Sequence, residues 1–165
     1  MTPLWPPIAI LAFVTLQRLT EMPVAARNTR RLLAEGGHEV APGHYPLIVA
    51  VHASWLAALW WLAPRQPIDL GWLALFAVLT GLRIWTLRTL GDRWTTRIIV
   101  VPGEQLVARG PYKYVRHPNY MVVAAEIFVL PMVFHLWPLA LLFSALNAGV
   151  LAIRLRAEQG ALDHL

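Results

Sequence analysis

The stretch Glu104 to Tyr120, EQLVARGPYKYVRHPNY, gathers residue types that could bind a ligand in a chain otherwise poor in them. Gly110-Pro111 and His117-Pro118 break any long helix across it. Ile98–Val101 just before it is a short β-branched run that ends in a turn signal at Pro102-Gly103. Such a segment is irregular backbone with many free amide groups, and beside a membrane it is tolerated where it lines a polar cavity or holds a ligand. A second set of polar residues, His52, Arg83, Glu126 and Asn147, interrupts long apolar runs. Ionisable residues in that setting are costly and are candidates for function.

Those runs are the elements that must position both sets. They cover Leu4–Leu19, Tyr45–Ala63, Leu70–Leu90, Tyr120–Leu136 and Trp137–Ile153. With 58% hydrophobic and 14% charged residues, against roughly 25% charged in soluble domains, the chain reads as an all-α integral membrane protein. About five transmembrane helices are expected, the first and last two short against the roughly 20 residues of a span. The rival count is four, with the first segment on the surface. The turn around His135–Pro138 is minimal, so the last two spans form a tight helical hairpin. Thr20–His44, with Arg27, Arg30, Arg31 and Glu35 at helical spacing, reads as an amphipathic surface helix ending at Gly36-Gly37. Residues 1–165 form one membrane-embedded domain: helices over 1–90, then a cytosolic cofactor-binding loop, the hairpin and a C-terminal tail over 91–165.

Of the fourteen basic residues, only Arg65 falls in a loop on the opposite side from the rest. The positive-inside rule then puts the N-terminus outside and the C-terminus in the cytosol, which agrees with five spans. The +5 net charge and the sequence pI near 10.4 follow from that topology, and nucleic acid is not implied. The N-terminus lacks the basic region of a cleaved signal peptide, its first charge being Arg18. Without cysteine, thiolate catalysis and thiolate-ligated metals are excluded. The six histidines (His38, His44, His52, His117, His135, His164) show no ligand spacing, so no metal is expected. Counting ~1.5 Å per residue from the cytosolic helix ends puts His52, Arg83, Glu126 and Asn147 at one depth. A pairing of Arg83 with Glu126 is expected there, as the floor of an acceptor pocket or as a self-satisfied structural network.

The run Leu106 to Tyr120 resembles the "LVxxGxYxxxRHPxY" signature of the isoprenylcysteine carboxyl methyltransferase family. Arg154 and Glu158 match the "RxxxE" pair that follows the family's helical hairpin. The resemblance covers about the C-terminal 75 residues. It implies a transferase that uses S-adenosylmethionine without a Rossmann domain, in keeping with the lack of a GxGxxG loop. The cofactor-binding positions it implies are Glu104, Gln105, Leu106, Val107, Tyr112, His117, Pro118, Asn119, Tyr120 and Glu158, with Arg154 orienting the acceptor. The chain departs from the pattern at Gln159, where the family commonly has a second glutamate.

The run Arg93 to Val100, followed by Pro102-Gly103, resembles a bacterial branch of membrane O-methyltransferases, hence an expected place in the bacterial inner membrane. The acceptor implied is a lipophilic phenol or enol, such as a long-chain polyketide, or a carboxylate like that of isoprenylcysteine. A neutral phenol would need Glu126 or Glu158 as base, its pKa raised by desolvation. The alternative function is a non-enzymatic lipid-binding or assembly subunit. It explains the spans and the charge bias but not the ordered polar segment.

Overall fold

The computed structural model describes residues 4–162 except Glu104 and Leu106, and excludes the side chains of Gln159, Ala161 and Leu162. Among the described residues the helices are α1 (Trp5–Ala34), α2 (Tyr45–Leu62), α3 (Leu70–Leu90), α4 (Pro118–Val133) and α5 (Trp137–Leu162). The all-α expectation holds. Four helical stretches, Trp5–Ala34, Pro42–Leu62, Leu70–Arg93 and Trp137–Glu158, are long and apolar enough to cross a membrane, while Pro118–Val133 is a shorter apolar helix.

At 30 residues, α1 is not short. It runs on through the segment expected to be a separate surface helix, because its central Pro23 removes one hydrogen bond without supplying a stop. It does end where the glycines predict. Gly36 takes φ +91°, and a Cβ on Gly37 would meet the Leu32 carbonyl oxygen at 2.7 Å, so only glycine fits that turn.

The centre of the molecule is α4. Its 16 residues rise only about 24 Å, less than a bilayer's hydrocarbon core. It has no need to match the lipid, because Ile127, Val129, Leu130 and Val133 are buried within the protein among Leu11, Trp55, Phe76 and Phe143 of the other helices. The Trp55 indole N–H donates to the Ile127 carbonyl at 3.3 Å. Large apolar residues such as Phe13, Trp61, Val78 and Leu142 are exposed on the outside, as expected where lipid is the solvent. The hairpin between α4 and α5 is as tight as predicted: Leu136 N–H reaches back to the Pro131 carbonyl at 3.0 Å, and His135 takes φ +56°. At the same end Asp69 N–H donates to the Val133 carbonyl at 2.8 Å, and the Asp69 carboxylate caps α3 through Gly71 and Trp72 N–H.

At the other end, polar links fasten α1 to the loop after α3. Buried Asn28 donates to the carbonyls of Gly91 (3.2 Å) and Trp94 (2.8 Å), and the Gly91 carbonyl also accepts from Trp94 N–H at 3.1 Å in the turn after α3. Two short strands, β1 (His38–Glu39) and β2 (Ile99–Val100), pair antiparallel, His38 opposite Val100. Arg97 grips Glu39 through two 2.9 Å contacts and lies 4.3 Å from the centre of the Tyr45 ring. The first half of the chain thereby holds the loop on which the site depends.

Candidate functional site

The loop 91–117 follows α3, and its second half leads into α4 through a short 3-10 turn at Gly110–Lys113. Gly110 takes φ +55° with Thr89 packed where a Cβ would sit, its Oγ1 at 2.7 Å, so the backbone of α3 and the loop approach through the missing side chain. Arg93 Nη1 donates to the Gln105 carbonyl at 2.8 Å and anchors the loop midway. His117 ends the loop, and Pro118 opens α4 with its fixed φ, which suits a first helical position. Tyr120 therefore lies one turn into α4, while Arg154 and Glu158 lie one turn apart on the last stretch of α5.

These two segments meet. The Tyr120 hydroxyl donates to Glu158 Oε2 at 2.7 Å and accepts from Arg154 Nε at 2.7 Å. Arg154 Nη1 donates to the Thr96 carbonyl at 2.9 Å, so one guanidinium spans from the loop to α4. The His117 ring stacks on Tyr120 with centroids 5.2 Å apart and planes 6° apart, and His117 Nδ1 is 3.8 Å from Glu158 Oε1. The Arg154 guanidinium also lies 5.0 Å from the centre of the Tyr120 ring. Tyr112 is half-buried close enough to Glu158 to feel its charge. Its hydroxyl pKa is raised, first by burial and then by that carboxylate. Arg154 and Glu158 thus face each other through one phenol, and neither is spent on a direct ion pair with the other.

The structure brings Tyr112, His117, Pro118, Tyr120, Arg154 and Glu158 of the sequence-expected set to one place. Asn119 adjoins it in sequence, and its Oδ1 is buried with no hydrogen-bond partner among the described residues. Gln105 and Val107 lie in irregular backbone upstream, and Glu104 and Leu106 fall outside the described residues. Thr96 escaped the sequence reading because it contributes a backbone carbonyl, which every residue carries.

Glu126 sits elsewhere. Arg83 Nη1 reaches its Oε2 at 3.3 Å, the pairing that depth counting expected, but Arg18 Nη2 is closer to the same oxygen, at 2.7 Å. Arg83 also holds Glu21 with Nε at 2.8 Å and Nη2 at 2.6 Å, and Arg18 Nη1 is 3.7 Å from Glu21. Two guanidiniums and two carboxylates from α1, α3 and α4 form a neutral ring in the interior. His52 of the same layer instead turns Nδ1 to its own helix, at the Ile48 carbonyl, 2.9 Å away. The signal for Arg18 and Glu21 was present. A first span that ends at Leu19 puts both residues at or beyond the membrane edge, whereas α1 continues to Ala34.

Four long apolar helices around a short buried one, with a loop and a helix end converging on one polar cluster, define a polytopic membrane protein with a candidate site at the end of the bundle. The isoprenylcysteine carboxyl methyltransferase family model matches residues 72–164. Over 160 residues the chain is 39% identical to the uncharacterized protein YpbQ of Bacillus subtilis (strain 168), spanning 93% of this chain and 95% of that one. It is 24% identical to an uncharacterized protein of Haemophilus influenzae over 90% of each chain. No solved structure matches the chain. The chain belongs to the isoprenylcysteine carboxyl methyltransferase family and is a membrane methyltransferase.

Proposed function

We propose that this protein transfers a methyl group from S-adenosylmethionine to an oxygen of a lipophilic acceptor in the bacterial cytoplasmic membrane, with its N-terminus outside and its C-terminus in the cytosol. The observation that carries this reading is the convergence of His117 and Tyr120 with Arg154 and Glu158, which belong to opposite sides of the hairpin. A subunit that only bound lipid or held an assembly together would have no need of that convergence.

The residues present fit such a cofactor. Glu158 Oε1 keeps acceptor capacity and Asn119 Oδ1 is an unspent buried acceptor, which together suit an ammonium and ribose hydroxyls. Tyr112 offers a ring for adenine, and the loop around Gln105 and Val107 offers irregular backbone. The expected contribution of Pro118 is to fix the turn that places His117 and Tyr120. When bound, the cofactor supplies an electrophilic methyl: the acceptor oxygen bonds to that carbon while the carbon–sulfur bond breaks and its electron pair stays on sulfur. Most of the rate in such an in-line displacement comes from alignment. Arg154 is suited to hold the acceptor, since Thr96 and Tyr120 pin two of its nitrogens and leave the remaining N–H groups for an anionic oxygen. A phenolic acceptor needs a base, and Glu158 in the cluster is better placed for this than Glu126, whose Oε2 is shared by two guanidiniums. A carboxylate acceptor needs none, so activity rising with pH on a phenolic lipid but flat on a carboxylate would identify the class.

Calorimetric titration of the purified protein with S-adenosylhomocysteine tests the reading. Saturable binding that weakens about tenfold or more in Glu158→Ala, a loss of at least ~1.4 kcal/mol, is expected. Absence of binding to the unaltered protein would discard it in favour of the lipid-binding or assembly subunit.

A further inference from the structure

We infer that the acceptor lies in a groove along the cytosolic half of α1, and that it is a single-chain amphiphile with an anionic head. This inference rests on the methyltransferase reading above. The groove encloses about 620 Å³, within the range of roughly 300–1,000 Å³ usual for small-molecule sites. Met22, Ala26 and Leu33 give it an apolar side on one face of α1, one and then two helical turns apart. Met22 is one residue from Glu21 of the interior ring, so this wall begins at membrane depth and runs toward the cytosol.

Two features define the occupant. The first is charge. Arg30 lines the groove and is exposed, with no ion-pair partner among the described residues. Its basic neighbours are occupied: Arg27 by Asp92, Arg31 by Asp92 and Glu35, and Arg97 by Glu39. Arg30 is therefore the cation left for an incoming anion, beside a wall suited to one alkyl chain. The second feature is continuity with the cluster. Thr96 lines the groove, and its carbonyl is the one that holds Arg154. One residue thus separates the groove from the guanidinium suited to orient the reacting oxygen. In this arrangement the chain lies toward Met22, Arg30 draws the head to the mouth, and the oxygen reaches Arg154 past Thr96.

Photolabelling of the full-length protein in nanodiscs with a diazirine-bearing palmitate tests this without requiring turnover. Labelling concentrated on the α1 peptide around residues 22–33 is expected. It should fall about tenfold in Ala26→Trp, which fills the groove, equivalent to ~1.4 kcal/mol of affinity. Arg30→Gln should weaken labelling by palmitate but not by the matching diazirine alcohol. Both substitutions are at exposed positions, and unchanged S-adenosylhomocysteine binding confirms that each variant is folded. Labelling spread over all lipid-facing helices, or equal labelling of the groove by a diazirine phosphatidylcholine, would mean annular lipid and overturn the inference. If the unaltered protein labels at the groove but binds no S-adenosylhomocysteine, the methyltransferase reading fails while the groove stands as an anionic-lipid site.

Discussion

Two charged assemblies, one where the loop before α4 meets the last stretch of α5 and one in the interior, use the same residue types to opposite ends. The ring of Arg18, Glu21, Arg83 and Glu126 is sequestered: its charges cancel, and the Arg83 and Glu126 side chains are only 5% and 1% exposed, although Arg18 Nε and Glu126 Oε1 are buried with no hydrogen-bond partner among the described residues. The cluster of His117, Tyr120, Arg154 and Glu158 is open. A phenol separates its charges, its histidine and glutamate side chains are 30% and 25% exposed, and donors and acceptors remain unspent. Charge cancelled by opposite charge in the interior fastens helices. Charge held in place but only partly answered can receive a ligand. What joins the two regions is α4, which carries Tyr120 at one turn and Glu126 further along.

The comparison breaks most readily at Glu126. Glu126→Ala leaves two guanidiniums facing one carboxylate in the interior and should cost about 3–5 kcal/mol, the usual effect of stranding half of a buried pair. Thermal unfolding in detergent would register this. A Glu126→Gln protein of normal stability that binds S-adenosylhomocysteine yet transfers no methyl group would instead place this carboxylate in the chemistry. Tyr120→Phe should leave the fold intact but remove the bridge between Arg154 and Glu158. Hydrogen bonds to charged groups contribute about 1.5–3 kcal/mol, so S-adenosylhomocysteine affinity should drop roughly 10- to 150-fold.

A smaller effect concerns pH. Tyr112 has its hydroxyl pKa raised in the folded state by burial and by Glu158, so its unfolded form ionises first. The associated stability is present below about pH 10, the unperturbed tyrosine value, and is lost as pH climbs toward the higher folded value. Tyr112→Phe should make the alkaline limb of a stability profile shallower, and an unaltered limb would show that the group does not sense the cluster. The least effect is expected of Arg31→Ala, whose exposed pairs with Asp92 and Glu35 should change stability by no more than ~1 kcal/mol.

Much of this arrangement was legible before any coordinates, for identifiable reasons. His117 and Glu158 fell in an ordered motif on either side of a hairpin too tight to separate them. Arg83 and Glu126 could be paired by counting residues from helix ends, because a helix converts sequence number into depth. The same counting missed Arg18 and Glu21 once α1 was assumed to stop at Leu19, since a polar run after an apolar one looks the same whether or not the helix continues. The ladder between His38–Glu39 and Ile99–Val100 is too short to leave a period of two in the sequence. Thr96 and Asn28 act through, or upon, backbone carbonyls, and no residue pattern announces those.

The brevity of α4 bears on the transfer proposed above. Its Val133 end is tied to the start of α3, and it is five residues shorter, so its Pro118 end stops about 7 Å short of where α3 ends. Tyr120, near that end of α4, therefore lies below the level at which α3 ends. On the function proposed above, a lipophilic acceptor would stay immersed while its oxygen is modified, and the water-soluble methyl donor would make the descent.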